Sequence, residues 1–182
     1  MLRRVDPALA HRLFYPEVPA VLAASSGKTV AGMPVVSYSA LSQRPPLLGV
    51  SCARDSFTLR IATAAKAFSL SLLGEEHVSA LAYLASHKGG YGSDKLEAAG
   101  LMHGRGSKLD APVIVGSAAS LECSLTKVLR SGDHSFLVGK VEAASASSDF
   151  RGYWRFRSYH PILYAGWQGG MSLYRPASRR KR

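Results

Sequence analysis

Leu121-Glu122-Cys123-Ser124-Leu125 alternates apolar and polar side chains without a break. Arg130-Ser131-Gly132-Asp133-His134 then collects turn-forming residues, and residues 136–144 resume an apolar run. A period of two marks a strand with one buried face, and Gly132 supplies the positive φ that a tight turn uses. The segment reads as a β-hairpin. Upstream, residues 18–24 read as a strand, Ser25-Ser26-Gly27-Lys28 as a hairpin turn and 29–38 as the returning strand. Pro45-Pro46 interrupts regular structure, and 47–52 is a short buried strand. Asp55-Ser56 can cap a helix ending near residue 65, with Phe57, Ile61 and Ala64 on one face. Residues 67–73 form a strand with Phe68, Leu70 and Leu72 on one side. A helix over 75–86 has acids in its first turn and a stripe of Val78, Leu81, Ala82 and Ala85. A glycine-rich loop over 87–92 reads as solvated or as a flap over a site. One or two helical turns over 94–99 follow, and 161–167 is the last apolar strand. Strands dominate and a few helices interrupt them. The pattern fits a mainly β fold, a small β-barrel with helical insertions, better than repeated βαβ units.

The 182 residues are 47% hydrophobic and 19% charged, which sets one domain with its own core and excludes a disordered chain. Seventeen glycines and nine prolines without a triplet period exclude a collagen-like one. The net charge is +11, unevenly placed. Without residues 1–10 and 174–182, 16 basic residues face 11 acidic ones, a net of +5. The organisation expected is an arm over 1–17, a domain over 18–170 and a basic tail over 171–182. The run Arg179-Arg180-Lys181-Arg182 suits a polyanion contact or a solvated terminus. Arg3-Arg4 leads into Asp6-Pro7 with no apolar stretch, so no signal peptide is expected, and no segment is apolar enough to span a bilayer. Cys52 and Cys123, outside any CxxC pattern, read as buried free thiols of a cytoplasmic protein.

Three segments carry chemistry. Gly32-Met33-Pro34-Val35-Val36-Ser37-Tyr38-Ser39-Ala40-Leu41-Ser42, ending at Pro45-Pro46, combines small and hydroxyl residues with backbone groups left free of a ladder. These could meet the polar edge of a flat heterocycle. Cys52-Ala53-Arg54-Asp55-Ser56-Phe57-Thr58 runs from a strand end into a helix start, which suits an anion or simple N-capping. Gly132-Asp133-His134 places an imidazole in a turn, with Asp133 able to hold its ring. The aromatics Tyr153, Trp154, Phe156 and Tyr159 alternate with Arg151, Arg155 and Arg157, as a stacking surface or as a half-buried strand or loop with snorkelling arginines. The six histidines lack ligand spacing, so no metal site is expected.

In this order the segments resemble the flavin reductase-like family with the FMN-binding split-barrel fold of Greek-key type. The matches are Gly32-Met33, Ser37-Tyr38-Ser39, Leu41-Ser42, Pro45-Pro46, Ser56-x-Thr58 and Phe68-Ser69-Leu70-Ser71-Leu72-Leu73. Leu121-Glu122-Cys123, Gly132-Asp133-His134 with Val138-Gly139-Lys140-Val141, and Pro161-Ile162-Leu163-Tyr164 complete them. The resemblance implies that Ser37, Tyr38, Ser39, Ala40, Leu41 and Ser42 line the isoalloxazine and ribityl chain. It implies that Cys52, Ala53 and Arg54 continue that wall, that Ser56 and Thr58 hold the phosphate, and that His134 lies where nicotinamide stacks on the flavin. It also implies a homodimer with the flavin near the subunit interface. Pro34 stands where the family usually has Thr, Val36 where it has Ser, and Ser71 where it has Asn. The ending Gly166-Trp167-Gln168-Gly169-Gly170 also departs from the family's.

The implied activity is an NAD(P)H-dependent flavin reductase: NADH or NADPH passes a hydride to FMN, or FAD, and the reduced flavin goes to an oxygenase or ferric iron. The cofactors carry that chemistry, so the protein's part is alignment and desolvation. An FMN-retaining ferric reductase or electron carrier is the second reading. A basic β-barrel binding nucleic acid through its tail and its Arg/aromatic cluster is the non-enzyme alternative, ranked lower. A pyridoxamine-phosphate oxidase-like activity on the same barrel ranks lower too, since fold alone does not fix function.

Overall fold

β2 (Thr29–Val35) and β3 (Tyr38–Gln43) are separated by Val36 and Ser37 alone, yet they are opposite edges of one seven-stranded antiparallel sheet. The computed structural model describes residues 2–168 and, by backbone alone, 171–176. The run Arg179-Arg180-Lys181-Arg182 and the pair Gly169-Gly170 lie outside the described residues. The sheet order is β2, β1 (Ala20–Ser26), β5 (Ala67–Leu72), β8 (Ala119–Ser131), β9 (His134–Ala146), β4 (Pro46–Ala53), β3. Laid flat, seven strands would set the edges roughly 29 Å apart. Three Cα steps from Val35 to Tyr38 reach about 11 Å at most. The sheet therefore curls until its edges face each other, giving the expected mainly β architecture of a split barrel with helical insertions.

Three helices sit between strands: α1 (Phe57–Ala65), α2 (Val78–Ser86) and α3 (Lys95–Ala98). The small ladders β6–β7 (His103–Arg105, Pro112–Ile114) and β10–β11 (Ile162–Gln168, Met171–Pro176) complete the described strands. The curled sheet has two apolar layers. On its inner side Leu22, Val50, Phe68, Leu70, Cys123 and Leu137 pack with Phe57, Leu59 and Ile61 of α1. On the outer side Val21 and Ala23 meet Leu81 and Leu84 of α2 and Leu96 of α3. Strand β1 is thus buried on both faces, which is why residues 20–24 read as an unbroken apolar run.

Several sequence expectations need correction. The strand expected over 29–38 stops at Val35, because the chain crosses to the other edge there. Pro46 does not block structure: Arg44-Pro45 forms the turn, and Pro46 opens β4 opposite Gln43. Residues 38–43 are not a free-backbone loop but a strand paired to β4 on one side. The hairpin arms run 13 residues each, with only Gly132 and Asp133 between Ser131 and His134. Helix α1 buries Phe57, Thr58, Leu59, Ile61 and Ala62 and exposes Ala64. Helix α2 buries Ala80, Leu81 and Leu84 and exposes Ala82 and Ala85, and Glu75–His77 is a separate 3-10 turn. The aromatic cluster over 150–159 needs no such correction: of the readings given for it the loop is found, wound about buried Asp149, which accepts from the amides of Tyr159 (2.6 Å) and Ser158 (2.6 Å) and from the Ser158 hydroxyl (2.9 Å).

The even positions of β8 do not all face water either. Glu122 is buried, and its carboxylate ties down the loop between β6 and β7. It accepts from the Ser107 amide (2.8 Å) and hydroxyl (2.7 Å) and from the amides of Lys108 (2.8 Å) and Leu109 (2.9 Å). Burial works to raise its pKa, but these donors outweigh it and hold the value down at about 2. A depressed folded pKa means stability that is present above the ordinary value of 4.5 and is lost as pH falls toward about 2. Glu122→Gln should therefore lower the unfolding free energy by about 2–3 kcal/mol at pH 7. In urea titrations the gap to the wild type should close as pH falls through that window. A gap independent of pH would show that the carboxylate charge does not hold the loop.

Candidate functional site

Where β2 ends and the chain turns toward β3, the seam opens into a cavity of about 540 Å³ lined from β2, the end of β4 and α1 and not from β3, within the range of small-molecule sites. One wall is apolar: Met33, Pro34, Val35 and Val36 from the end of β2, Leu84 of α2, and the rings of Tyr15 and Tyr164. Those two rings meet edge to face at 4.8 Å. The opposite wall is the entry to α1, with Ala53, Asp55, Ser56, Phe57, Thr58 and Arg60. Its floor is His87, Lys88, Gly89 and Lys95.

Ser56 is the N-cap of α1, and its Oγ accepts from the Leu59 amide at 3.2 Å. Its side chain also hydrogen-bonds with that of Cys52. The amides of Phe57 and Thr58 open the first turn, where α-helical bonding provides no acceptor, and the helix dipole adds partial positive charge. The N-capping reading of this segment holds, and the capped end faces the cavity. Asp55 is the one carboxylate in the lining, and it is exposed.

Lys95 was not singled out in the sequence. It lies in the short helical stretch over 94–99, after a glycine-rich loop. In the structure it is only 9% exposed. Its Nζ donates to the carbonyls of Leu84 (3.0 Å) and His87 (2.9 Å), which leaves one ammonium proton at the cavity floor. Burial pushes its pKa down, and an anion in the cavity would offset that cost. Asp94 Oδ1 caps α3 through the amides of Leu96 and Glu97, and its Oδ2 lies 2.7 Å from His103 Nε2, so the short helix presenting Lys95 is fixed at its start. The loop over 87–92 is largely exposed, as the solvated-loop reading has it, and two ring contacts anchor it: His87 stacks on Tyr83 at 3.8 Å and Tyr91 meets Phe57 at 5.0 Å.

Of the residues singled out in the sequence, Ala53, Ser56 and Thr58 line this cavity. Cys52 points into the core, where burial lifts its thiol pKa to about 11, and Cys123 is likewise buried and lifted to about 12. Tyr38 packs against the inner core and donates its hydroxyl to the Val18 carbonyl at 2.8 Å. Ser37, Ser39, Ala40, Leu41 and Ser42 lie outside the lining, all but Ser42 exposed. Arg54 and His134 flank the site. The Arg54 amide and guanidinium bond to the carbonyls of Asp133 (3.1 Å) and Gly132 (3.3 Å), and His134 pairs across the ladder with Ala53. His134 Nδ1 lies 2.7 Å from Asp133 Oδ1, and that hydrogen bond holds the Asp133 carboxyl below its usual pKa. No cluster of three or more His, Cys, Asp or Glu among the described residues could hold a metal ion. No described helix is long and apolar enough to cross a membrane.

The arrangement fits a phosphorylated, flat, amphipathic molecule. Arg60, Lys88 and Lys95 stand in one lining with the capped entry of α1, a chemistry able to take an anion, and the end of β2 offers a flat apolar surface. Comparison with known proteins points the same way. The sequence profile of the flavin reductase like domain matches residues 11–163. The NADH-dependent FAD reductase of Streptomyces globisporus is 29% identical over 65% of this chain and 64% of its own length. The reductase component of 4-hydroxyphenylacetate 3-monooxygenase from Thermus thermophilus is 31% identical over 67% of this chain and 72% of its own. The crystal structure of an FMN-binding protein from Thermus thermophilus superposes with a TM-score of 0.81 at 31% identity, covering 97% of this chain and 94% of that one. This chain spans only 63% and 64% of the length of the first curated relatives it matches. On the matched profile and these identities, the chain belongs to the flavin reductase like domain family.

Proposed function

We propose that the protein is an NAD(P)H:flavin oxidoreductase that binds FMN or FAD in the seam cavity and supplies reduced flavin to a partner oxygenase. The observation that carries the reading is the pairing of buried Lys95 and the capped entry of α1 with the apolar end of β2 in one cavity. The names of the relatives support it, since they include an NADH-dependent FAD reductase and a monooxygenase reductase component. A bound flavin supplies the hydride acceptor, and the reduced nicotinamide supplies the hydride.

The chain's own residues bind and orient. Lys95 Nζ, the Ser56 and Thr58 hydroxyls and the first amides of α1 hold the flavin phosphate. Met33, Pro34, Val35 and Val36 present backbone and small apolar surface to the ring and keep water from it. Pro34 and Val36 contribute no side-chain hydroxyl here, so polar contacts to the ring come from main-chain groups on this side. His134, braced by Asp133 beside Ala53, stands at the mouth to orient the nicotinamide. No residue need accept or donate a proton for the hydride step. That agrees with a site whose only buried titratable group is Lys95 and whose nearby thiol, Cys52, stays protonated in the core. A soluble homodimer in the cytoplasm, with the exposed edge of β3 turned toward the second copy, completes the reading.

The phosphate assignment is testable with two flavins that differ only there. Lys95→Met should weaken FMN binding about 10- to 100-fold, the loss of one charge-assisted hydrogen bond, and leave riboflavin binding within about twofold of wild type. Fluorescence quenching measures both. Equal losses for the two flavins would mean that Lys95 supports the fold and not the phosphate. His134→Ala should lower flavin-dependent NADH turnover about 10-fold or more while FMN affinity holds. Unchanged turnover would remove His134 from the site.

A further inference from the structure

Along α1, between that helix and the β8–β9 hairpin, lies a second cavity, of about 630 Å³, lined by Leu59, Arg60, Thr63 and Ala64 on one side and Val128, Arg130 and Ser135 on the other. Three arginines line it: Arg54 at the end of β4, Arg60 on α1 and Arg130 near the tip of the β8–β9 hairpin. No carboxylate lines it, and none of the three arginines makes an ion pair among the described residues. Asp55, next to Arg54 in the chain, lines the first cavity and not this one, and Asp133, three residues after Arg130, is engaged by His134 at 2.7 Å. Arg54 spends one guanidinium nitrogen on the Gly132 carbonyl. Arg60 lies over the Phe57 ring at 5.2 Å and the Tyr91 ring at 6.0 Å, which fixes its plane without neutralising it. Arg60 lines both cavities.

Three unneutralised guanidinium groups around one hollow repel one another, and a protein loses nothing in its fold by placing an acid among them. Guanidinium matches phosphate oxygens with paired N–H donors. Thr63 and Ser135 add hydroxyl donors, and Leu59, Ala64 and Val128 give an apolar floor for a sugar or base. We propose that this arginine-lined cavity is an adenylate-phosphate subsite, which holds the phosphates of the adenosine half of a dinucleotide whose other half lies in or over the seam cavity. The shared Arg60 provides the continuity that such a molecule needs. The adenosine phosphates could come from FAD or from NAD(P)H, and the chemistry recognised is the same. The inference rests on the flavin reading for what occupies the first cavity, but the phosphate subsite is open to a test of its own.

Arg130 is exposed, touches the first cavity nowhere and serves as the probe. Wild type, Arg130→Met and Arg130→Lys would be titrated calorimetrically with 5′-ADP and 2′,5′-ADP without flavin. FMN and FAD affinities and the KM for NADH and NADPH would follow. The expected result is a loss of about 10-fold in ADP affinity in Arg130→Met, with partial recovery in Arg130→Lys and with FMN affinity unchanged. A matching loss for FAD alone assigns the subsite to FAD, and a loss in KM for NADPH beyond NADH assigns it to the 2′-phosphate. Equal losses for both nicotinamide nucleotides assign it to their diphosphate. Wild type that binds neither ADP, Arg130→Met that binds both as well as wild type does, or an equal loss for FMN would each overturn the proposal. If NADH fails to reduce flavin while the ADP effect appears, the reductase reading falls and the phosphate subsite stands.

Discussion

The two-residue link between β2 and β3 is the constraint on which the rest of the structure depends. Val36 and Ser37 must carry the chain from one edge of a seven-stranded sheet to the other. Only a curled sheet allows that. Curling turns Leu22, Val50, Phe68 and Leu137 inward on a shared core and leaves a seam at the meeting edges. There the last residues of β2 share one cavity with the last residue of β4 and the start of α1, so an apolar wall and a capped helix entry come together. The cavity is a consequence of closure and not an addition to it.

Charge is sorted across this frame. Five acids are engaged away from the cavities: Glu122 holds residues 107–109, Asp149 holds 158 and 159, Asp94 caps α3, Asp110 pairs with Arg105 and Glu142 with Lys140. The cations at the two cavities, Arg54, Arg60, Lys88, Lys95 and Arg130, make no ion pair among the described residues. These five are part of the positive excess of a chain of net charge +11, and they carry it to the two cavities. The two thiols are buried with raised pKa values, so neither is poised for redox chemistry.

Much of this frame is legible in the sequence, and the gaps have physical causes. The β8–β9 hairpin, β5 and the Ser56 cap follow from alternation, turn residues and capping chemistry, all local signals. The buried faces of α1 and α2 are misread at Ala64, Ala82 and Ala85, because alanine fits either side and the partner decides. Glu122 reads as solvent-facing because alternation reports a period and not what covers the second face. There the cover is a loop 13 to 15 residues upstream. Lys95 is missed for the same reason, since its burial depends on carbonyls of Leu84 and His87 that no spacing rule connects to it. The stretch 37–42 is misjudged because Pro45-Pro46 looks like a stop, whereas the turn before Pro46 sets it at the head of a strand.

The most direct test of the account is an anaerobic mixture of the protein, FMN and NADH followed in the visible range, with NADPH and FAD in parallel. The account predicts loss of the flavin absorbance band at a rate proportional to protein concentration, with one NADH oxidised for each flavin reduced. Flavin that stays oxidised with either nicotinamide nucleotide, in protein shown to be folded, would contradict it.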